Sequence, residues 1–353
     1  MILMFGEQPV LEINTSSGEI NIINPKLMPY GLYLDKQDNF NNLINLYNWL
    51  SNRMLPIKRK YIKEILNYLN LKQSTTDIER AKIVMKYHSV SVSDIYWTKE
   101  DDENTDWDSI NIFDNLLNEA IFDVALHGKN LTLQTQGLVS QDINVQGYYP
   151  KAWKRLDDGL YLYKADVEGS VDKEVTASSI LDMLRIPHLK YFYSLYDGEK
   201  TSLCKCITDK KTSMVSAQDM EIWCINKDIS LIDFTIKLDS MGYAYMNLAD
   251  YLVGNNDRHL GNWGFLVDEE NQVLCLHPLF DFNSSFKTTG IEGGLCLPEN
   301  NKITQLKAAR RALKYIDIPK YNPVPGNIFI NEEDCDLFNR RYNELIKTKM
   351  NSF

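Results

Sequence analysis

Three polar side chains within one short stretch, Asn255 to Phe282 (NNDRHLGNWGFLVDEENQVLCLHPLFDF), have types and spacing suited to chemistry. Asp257 comes first, Asn262 follows five residues later, and Asp281 nineteen residues after that. Between them lie two apolar runs, Trp263 to Val267 and Val273 to Leu276, separated by Asp268-Glu269-Glu270-Asn271-Gln272. Apolar run, polar turn, apolar run predicts a β-hairpin. A hairpin returns its two ends to one place, so Asp257 and Asn262 before the first strand should meet Asp281 after the second. A carboxylate beside an attacking hydroxyl, with an amide and a second carboxylate as oxygen ligands for magnesium on nucleotide phosphates, is what phosphoryl transfer needs. Each residue alone has a plainer use: Asn-Asn-Asp is good turn chemistry, and Asp281 suits a capped turn. The three together, with a hairpin between them, favour chemistry.

The spacing Asp257-Arg258-His259-Leu260-Gly261-Asn262 is that of the protein-kinase catalytic loop, and Asp281-Phe282-Asn283 stands where Asp-Phe-Gly would. The usual His-Arg-Asp order is absent. The segments NNDRHLGNWGFL and PLFDFNSSF resemble the catalytic and metal-binding segments of the HipA-like kinases, relatives of the phosphatidylinositol-kinase-like group. The resemblance implies an α+β, two-lobed protein-kinase-like fold. It also implies ATP and Mg2+ as cofactors and a γ-phosphoryl transfer to Ser or Thr of a protein, the chain itself among the candidate acceptors. Asp257 would orient the hydroxyl or accept its proton, and Asn262 and Asp281 would bind magnesium. Arg258 would hold a phosphate or buttress Asp257, while His259 is expected as a packed, hydrogen-bonded loop residue.

Upstream, Gln146-Gly147-Tyr148-Tyr149-Pro150-Lys151 is a candidate phosphate-covering loop with a single glycine. Ala152 to Leu156 reads as a strand, Asp157-Asp158-Gly159 as a turn, and Leu160 to Lys164 as the next strand. Glu174 is expected in the first turn of a helix running to Leu184, where the macrodipole alone favours an acid. The order GYYPKAW…LYLYK…E is similar to that of HipA-like proteins. By that resemblance Gly147 lets the loop backbone approach the nucleotide, Lys151 lies on the nucleotide side, Lys164 holds phosphates, and Glu174 holds Lys164. HipA-like toxins commonly carry a self-phosphorylated serine three residues before the loop glycine. Here that position is Asn144, so self-inhibition by that route is not expected.

Other elements must position these residues. Residues 1–128 are expected as an N-terminal accessory domain of mixed α/β type, 129–225 as the nucleotide lobe, and 226–353 as a mostly helical lobe carrying the catalytic loop. The first region reads as short strands at Ile2 to Ile13 and Ile20 to Ile23, then helices at Phe40 to Met54, Arg59 to Leu71 and Thr76 to His88. The acidic run Lys99 to Asp108 reads as a solvated loop, followed by a helix from Phe113 to Leu126. Strands are expected at His188 to Tyr196 and Ser202 to Ile207, with an inter-lobe hinge at Ile207 to Thr212. Helices follow at Leu231 to Leu238 and Tyr243 to Val253, the second delivering the catalytic loop at Gly254. Asn283 to Gly290 resembles the start of an activation-type segment with hydroxyl residues as phosphorylation sites. A basic helix at Thr304 to Ile316 and a closing helix at Glu332 to Met350 complete the chain.

Length and composition bound the rest. The 353 residues, 44% hydrophobic and 24% charged, suit a globular chain of two or three lobes. A net charge of −10 argues against a general nucleic-acid binder. No apolar run reaches membrane-span length, and the N-terminus lacks a basic region of signal type. Six scattered Cys without a Cys-x-x-Cys pair favour reduced thiols over zinc, so a cytoplasmic location is expected. The expected partners are a protein substrate of unknown identity and a regulatory or antitoxin-like protein. Two alternatives stay open: a small-molecule or lipid kinase on the same fold, and a nucleotide-binding regulatory module without catalysis.

Overall fold

The structure, a computed structural model, describes residues 1–54, 56, 58–69, 71, 76–115, 117, 119–128, 149–287, 290–318 and 326–350. Internal packing divides the chain into two compact units. One holds Met1–Ala165, Lys205–Val215 and Val267–Val273; the other holds Asp166–Cys204, Ser216–Leu266 and Leu274–Phe353.

In the first unit, strands β1 (Ile2–Phe5), β2 (Gln8–Ile13) and β3 (Ile20–Ile22) precede helices α1 (Asn39–Ser51), α2 (Ile62–Tyr68) and α3 (Asp77–Met85). Strand β4 (Tyr96–Lys99) and helices α4 (Trp107–Ile110) and α5 (Glu119–His127) follow. The sheet order is β3-β2-β1-β4, antiparallel throughout. Leu3, Val10 and Leu11 of the sheet share a buried core with Leu46 and Leu50 of α1 and with Trp97 and Trp107. The helices end earlier than the apolar periodicity suggests, and side-chain caps set the starts of α1 and α3. The Asp38 side chain accepts the Asn41 N–H and the Thr76 hydroxyl accepts the Glu79 N–H, each satisfying an orphan donor.

Two expectations for this unit need correction. The acidic run is not all solvated loop: Asp106 caps α4, which buries Trp107 against Trp97 at 6.4 Å between ring centroids. Nor does a helix begin at Phe113, because the Asn111 carboxamide oxygen accepts the Asp114 N–H at 2.8 Å and turns the chain. Strands β5 (Lys151–Leu156) and β6 (Gly159–Ala165) form the expected hairpin, with Lys151 paired to Lys164. Tyr163 meets Phe122 of α5 edge-on at 5.3 Å, and Arg155 donates to the carbonyls of Ile112 and Asn115. Those contacts place the hairpin with the residues before it.

The second unit begins with α6 (Ser170–Met183), then the hairpin of β7 (Tyr191–Tyr196) and β8 (Glu199–Lys205). Helix α7 (Ala217–Asn226) follows the short strand β9 (Ser213–Ser216), most of which belongs to the first unit, and neither was read from the sequence. Helix α8 (Leu231–Val253) is interrupted at Asp239 (φ −148, ψ 77), which reproduces the two helices expected there. The Asp239 carboxylate accepts the N–H groups of Gly242 and Leu276, so the break is held by its own side chain. Strands β10 (Gly264–Val267) and β11 (Val273–Leu276) stand where the hairpin was expected, followed by α9 (Gln305–Ala312) and α10 (Glu332–Met350). Among the described residues, no helix is long and apolar enough to cross a membrane.

Candidate active site

The second half of α8 is buried on every side, from Tyr243 through Leu248, Ala249, Tyr251, Leu252 and Val253. A helix so enclosed is a rigid base. It ends at Gly254, whose left-handed backbone (φ 64) suits glycine and turns the chain into the loop 255–263.

Arg258 ties this loop together. Its guanidinium is 2% exposed and bonds the Asp250 carboxylate at 2.9–3.3 Å. One terminal nitrogen also donates to the carbonyls of Asn262 and Phe280, at 2.6 Å each. The guanidinium lies 5.1 Å from the centre of the Phe282 ring. The five donors of one planar group thus join the end of α8, the end of the loop and the segment entering Asp281. The guanidinium thus braces the loop that carries Asp257.

Asp257 is half-buried, and its carbonyl accepts the Asn262 side-chain amide at 2.8 Å. That bond uses the Asn262 side-chain nitrogen as its donor. Asp281 sits after β11 in left-handed backbone (φ 59), and its N–H donates to the Tyr191 hydroxyl at 3.2 Å. Burial raises the Asp257 pKa above its ordinary value. The Asp281 charge adds to that rise, while His259, Lys287 and Arg258 oppose it. The Asp281 charge is thus among those that act on Asp257. His259 is exposed, contrary to the expectation of a packed residue; its Nδ1 accepts the Gly261 N–H at 3.0 Å.

Lys287 was missed in the sequence, where it is one lysine in a polar run. Here its ammonium donates to the Ser284 hydroxyl at 3.1 Å, and its charge reaches Asp257. The hydroxyl residues expected as phosphorylation sites need correction. Ser284 and Ser285 are buried, Ser285 completely. The chain is drawn in there because the Phe286 N–H donates to the Val253 carbonyl at 2.8 Å. Thr288 and Thr289 lie outside the described residues.

Lys164 is buried on β6, across from Lys151, whose carbonyl accepts the Arg59 guanidinium. Glu174 is 1% exposed and accepts the Ser202 hydroxyl at 2.7 Å. It lies in the second turn of α6, not the first, because the helix starts at Ser170 after Gly169 in left-handed backbone. Lys164 belongs to the first unit and Glu174 to the second. Gly147 and Asn144 lie outside the described residues. On the basic helix, Arg310 pairs with Glu344 at 2.6 Å and Arg311 with Glu299 at 3.4 Å.

The Asp281 carboxylate and the Asn262 amide oxygen are hard donors of the kind magnesium takes. Among the described residues no cluster of three His, Cys, Asp or Glu is arranged to hold a metal ion. Magnesium on a nucleotide needs only one or two protein carboxylates, with phosphate oxygens and waters as the other ligands. The donor set fits that use.

No family model matches the chain. The serine/threonine-protein kinase CtkA of Helicobacter pylori strain J99 is 25% identical over 224 residues, covering 55% of this chain and 69% of that protein. Among solved structures, HipA of Shewanella oneidensis MR-1, determined with HipB and its operator DNA, matches with a TM-score of 0.55. It is 9% identical and the match covers 98% of this chain and 96% of that one. The crystal structure of the H. pylori proinflammatory kinase CtkA matches with a TM-score of 0.43 at 18% identity, over 57% of this chain and 88% of that one. The α+β fold is thus shared with HipA along nearly the whole chain.

Proposed function

From a chain whose kinship is with the HipA-like serine/threonine kinases, we propose an ATP- and magnesium-dependent enzyme that transfers the γ-phosphoryl group to a serine or threonine of a protein. The observation that carries this reading is the loop 255–263. Arg258 locks it to Asp250 and to the Phe280 carbonyl, with Asp257 and Asp281 near enough to share their electrostatics. In this reading Asp257 orients the acceptor hydroxyl and takes its proton late, since the phosphoryl transition state is loose. Asn262 and Asp281 hold magnesium, which supplies charge neutralisation on the phosphates. Lys164 and Lys151 hold phosphates, Glu174 positions Lys164, and Gly147 admits the phosphates to the loop backbone. Residues 129–225 then serve as the nucleotide lobe and 226–353 as the acceptor lobe, in a cytoplasmic protein. A regulatory partner of antitoxin type also belongs to this reading, supported by the fold shared with a HipA that was solved bound to HipB.

The test is incubation with γ-labelled ATP and magnesium, beside Asp281→Asn, with a cell extract as acceptor. Label on the chain or on an extract protein, lost in the variant, is the expected result. Equal labelling by parent and variant would overturn the site, and label on small molecules or lipids alone would overturn the protein acceptor.

A further inference from the structure

Tyr191 opens β7 and is buried, and its hydroxyl oxygen accepts the Asp281 N–H at 3.2 Å. Asp281 needs such a hold. Its backbone is left-handed (φ 59), a conformation that a residue with a side chain keeps only where its surroundings enforce it. The segment just before it is pinned by the same part of the chain. The Leu189 N–H donates to the Leu279 carbonyl at 2.8 Å, and the Leu279 N–H donates to the Pro187 carbonyl at 3.3 Å.

That part of the chain is tied in turn to α6. The His188 Nδ1 donates to the Ile186 carbonyl at 2.7 Å, which leaves Nε2 to accept the Ser178 hydroxyl at 3.0 Å. Burial favours this neutral ring by lowering the His188 pKa. The Ser178 oxygen also accepts the Tyr191 N–H at 3.0 Å. Ser178 stands one helical turn after Glu174. A continuous run of hydrogen bonds thus leads from the helix bearing Glu174, through Ser178 and Tyr191, to the backbone of Asp281.

We infer that Tyr191 is a positioning residue for the metal-binding carboxylate, holding the Asp281 peptide so that its side chain meets magnesium at the required angle. This rests on the magnesium-nucleotide reading above. Magnesium demands near-ideal octahedral geometry, so a ligand whose backbone can turn binds it less well.

The experiment uses the full chain and a fluorescent N-methylanthraniloyl ATP, with magnesium titrated at fixed nucleotide. Y191F is expected to raise the magnesium concentration at half-maximal binding about tenfold, the equivalent of one buried hydrogen bond. Binding in EDTA and the melting temperature should stay close to the parent's. Y193F, which alters an exposed tyrosine on the same strand, should follow the parent. An unchanged midpoint in Y191F overturns the inference. So does an equal loss of binding with and without magnesium, which marks a merely structural role. Should Y191F fold poorly, S178A keeps the hydroxyl of Tyr191 but removes its tie to α6. A rise of about threefold is expected there, and an unchanged midpoint overturns the inference too. A parent that binds nucleotide equally with and without magnesium would overturn the magnesium site itself, a result read from the parent curve alone.

Discussion

Asp257 loses water on entering the fold and feels the Asp281 charge, and both effects favour its protonated form. Cations answer them, Lys287 among them. The acid limb of the activity profile should therefore lie above the ordinary value for an aspartate. Removing the Lys287 charge takes away an influence that lowers the Asp257 pKa, so in Lys287→Met the pH of half-maximal kcat/KM should move further up. A pH–rate profile of the two proteins checks this, and a downward move would contradict the assigned surroundings. The two acidic residues should also separate by role. Asp257→Asn is expected to lose transfer by about a thousandfold, within the range for a positioned proton acceptor, while magnesium-nucleotide binding persists. Asp281→Asn should lose both, as nucleotide-binding and single-turnover measurements would show. The places of Asp257, Asn262 and Asp281 at the ends of a hairpin were legible in the sequence because such spacing is a local pattern. Lys287 was not, since only its distance to Asp257 in the fold distinguishes it from other surface lysines.

At the level of elements, α8 and the hairpin β10–β11 do the positioning, and Arg258 joins them. Its partner Asp250 is buried with it. Replacing Arg258 by alanine leaves that carboxylate in the interior without its cation and removes the donor to two carbonyls. The expected cost is about 3–5 kcal/mol, read from urea denaturation. A loss below about 1 kcal/mol, the scale of an exposed pair, would contradict the buttress role. Most elements were legible from apolar spacing, including the interrupted helix α8 and its end at Gly254. The misplaced ends have side-chain causes. Asn111 turned the chain where periodicity alone began a helix, and Gly169 started α6 a turn before Glu174. Helix α7 escaped notice because its start depends on the Ser216 hydroxyl, which accepts the Asp219 N–H, an ordinary pair of residues in sequence.

On the scale of the whole molecule, residues far apart in sequence meet at the tip of the β10–β11 hairpin. Asn271 is buried there with left-handed backbone (φ 61), and its side-chain amide donates to the carbonyls of Lys26 and Met28 at 3.2 and 3.0 Å. The Tyr30 hydroxyl donates to the Asn271 carbonyl at 2.8 Å. Asn271→Ala removes the donor to both carbonyls and places a less tolerant residue in that backbone. A loss of about 1–3 kcal/mol in denaturant-measured stability is expected; a loss within 0.5 kcal/mol, the ordinary range of surface substitutions, would show the contact to be incidental. By itself the sequence determined the α+β class, the hairpin and the three oxygen-bearing side chains at its ends. Those follow from alternation, turn chemistry and spacing, which act over a few residues. Only the tertiary structure decided that Arg258 is a buried buttress, that Tyr191 bonds the Asp281 backbone and that Asn271 bonds the N-terminal segment. Each depends on loss of water and on partners many residues away, and neither is present in any local window of the chain.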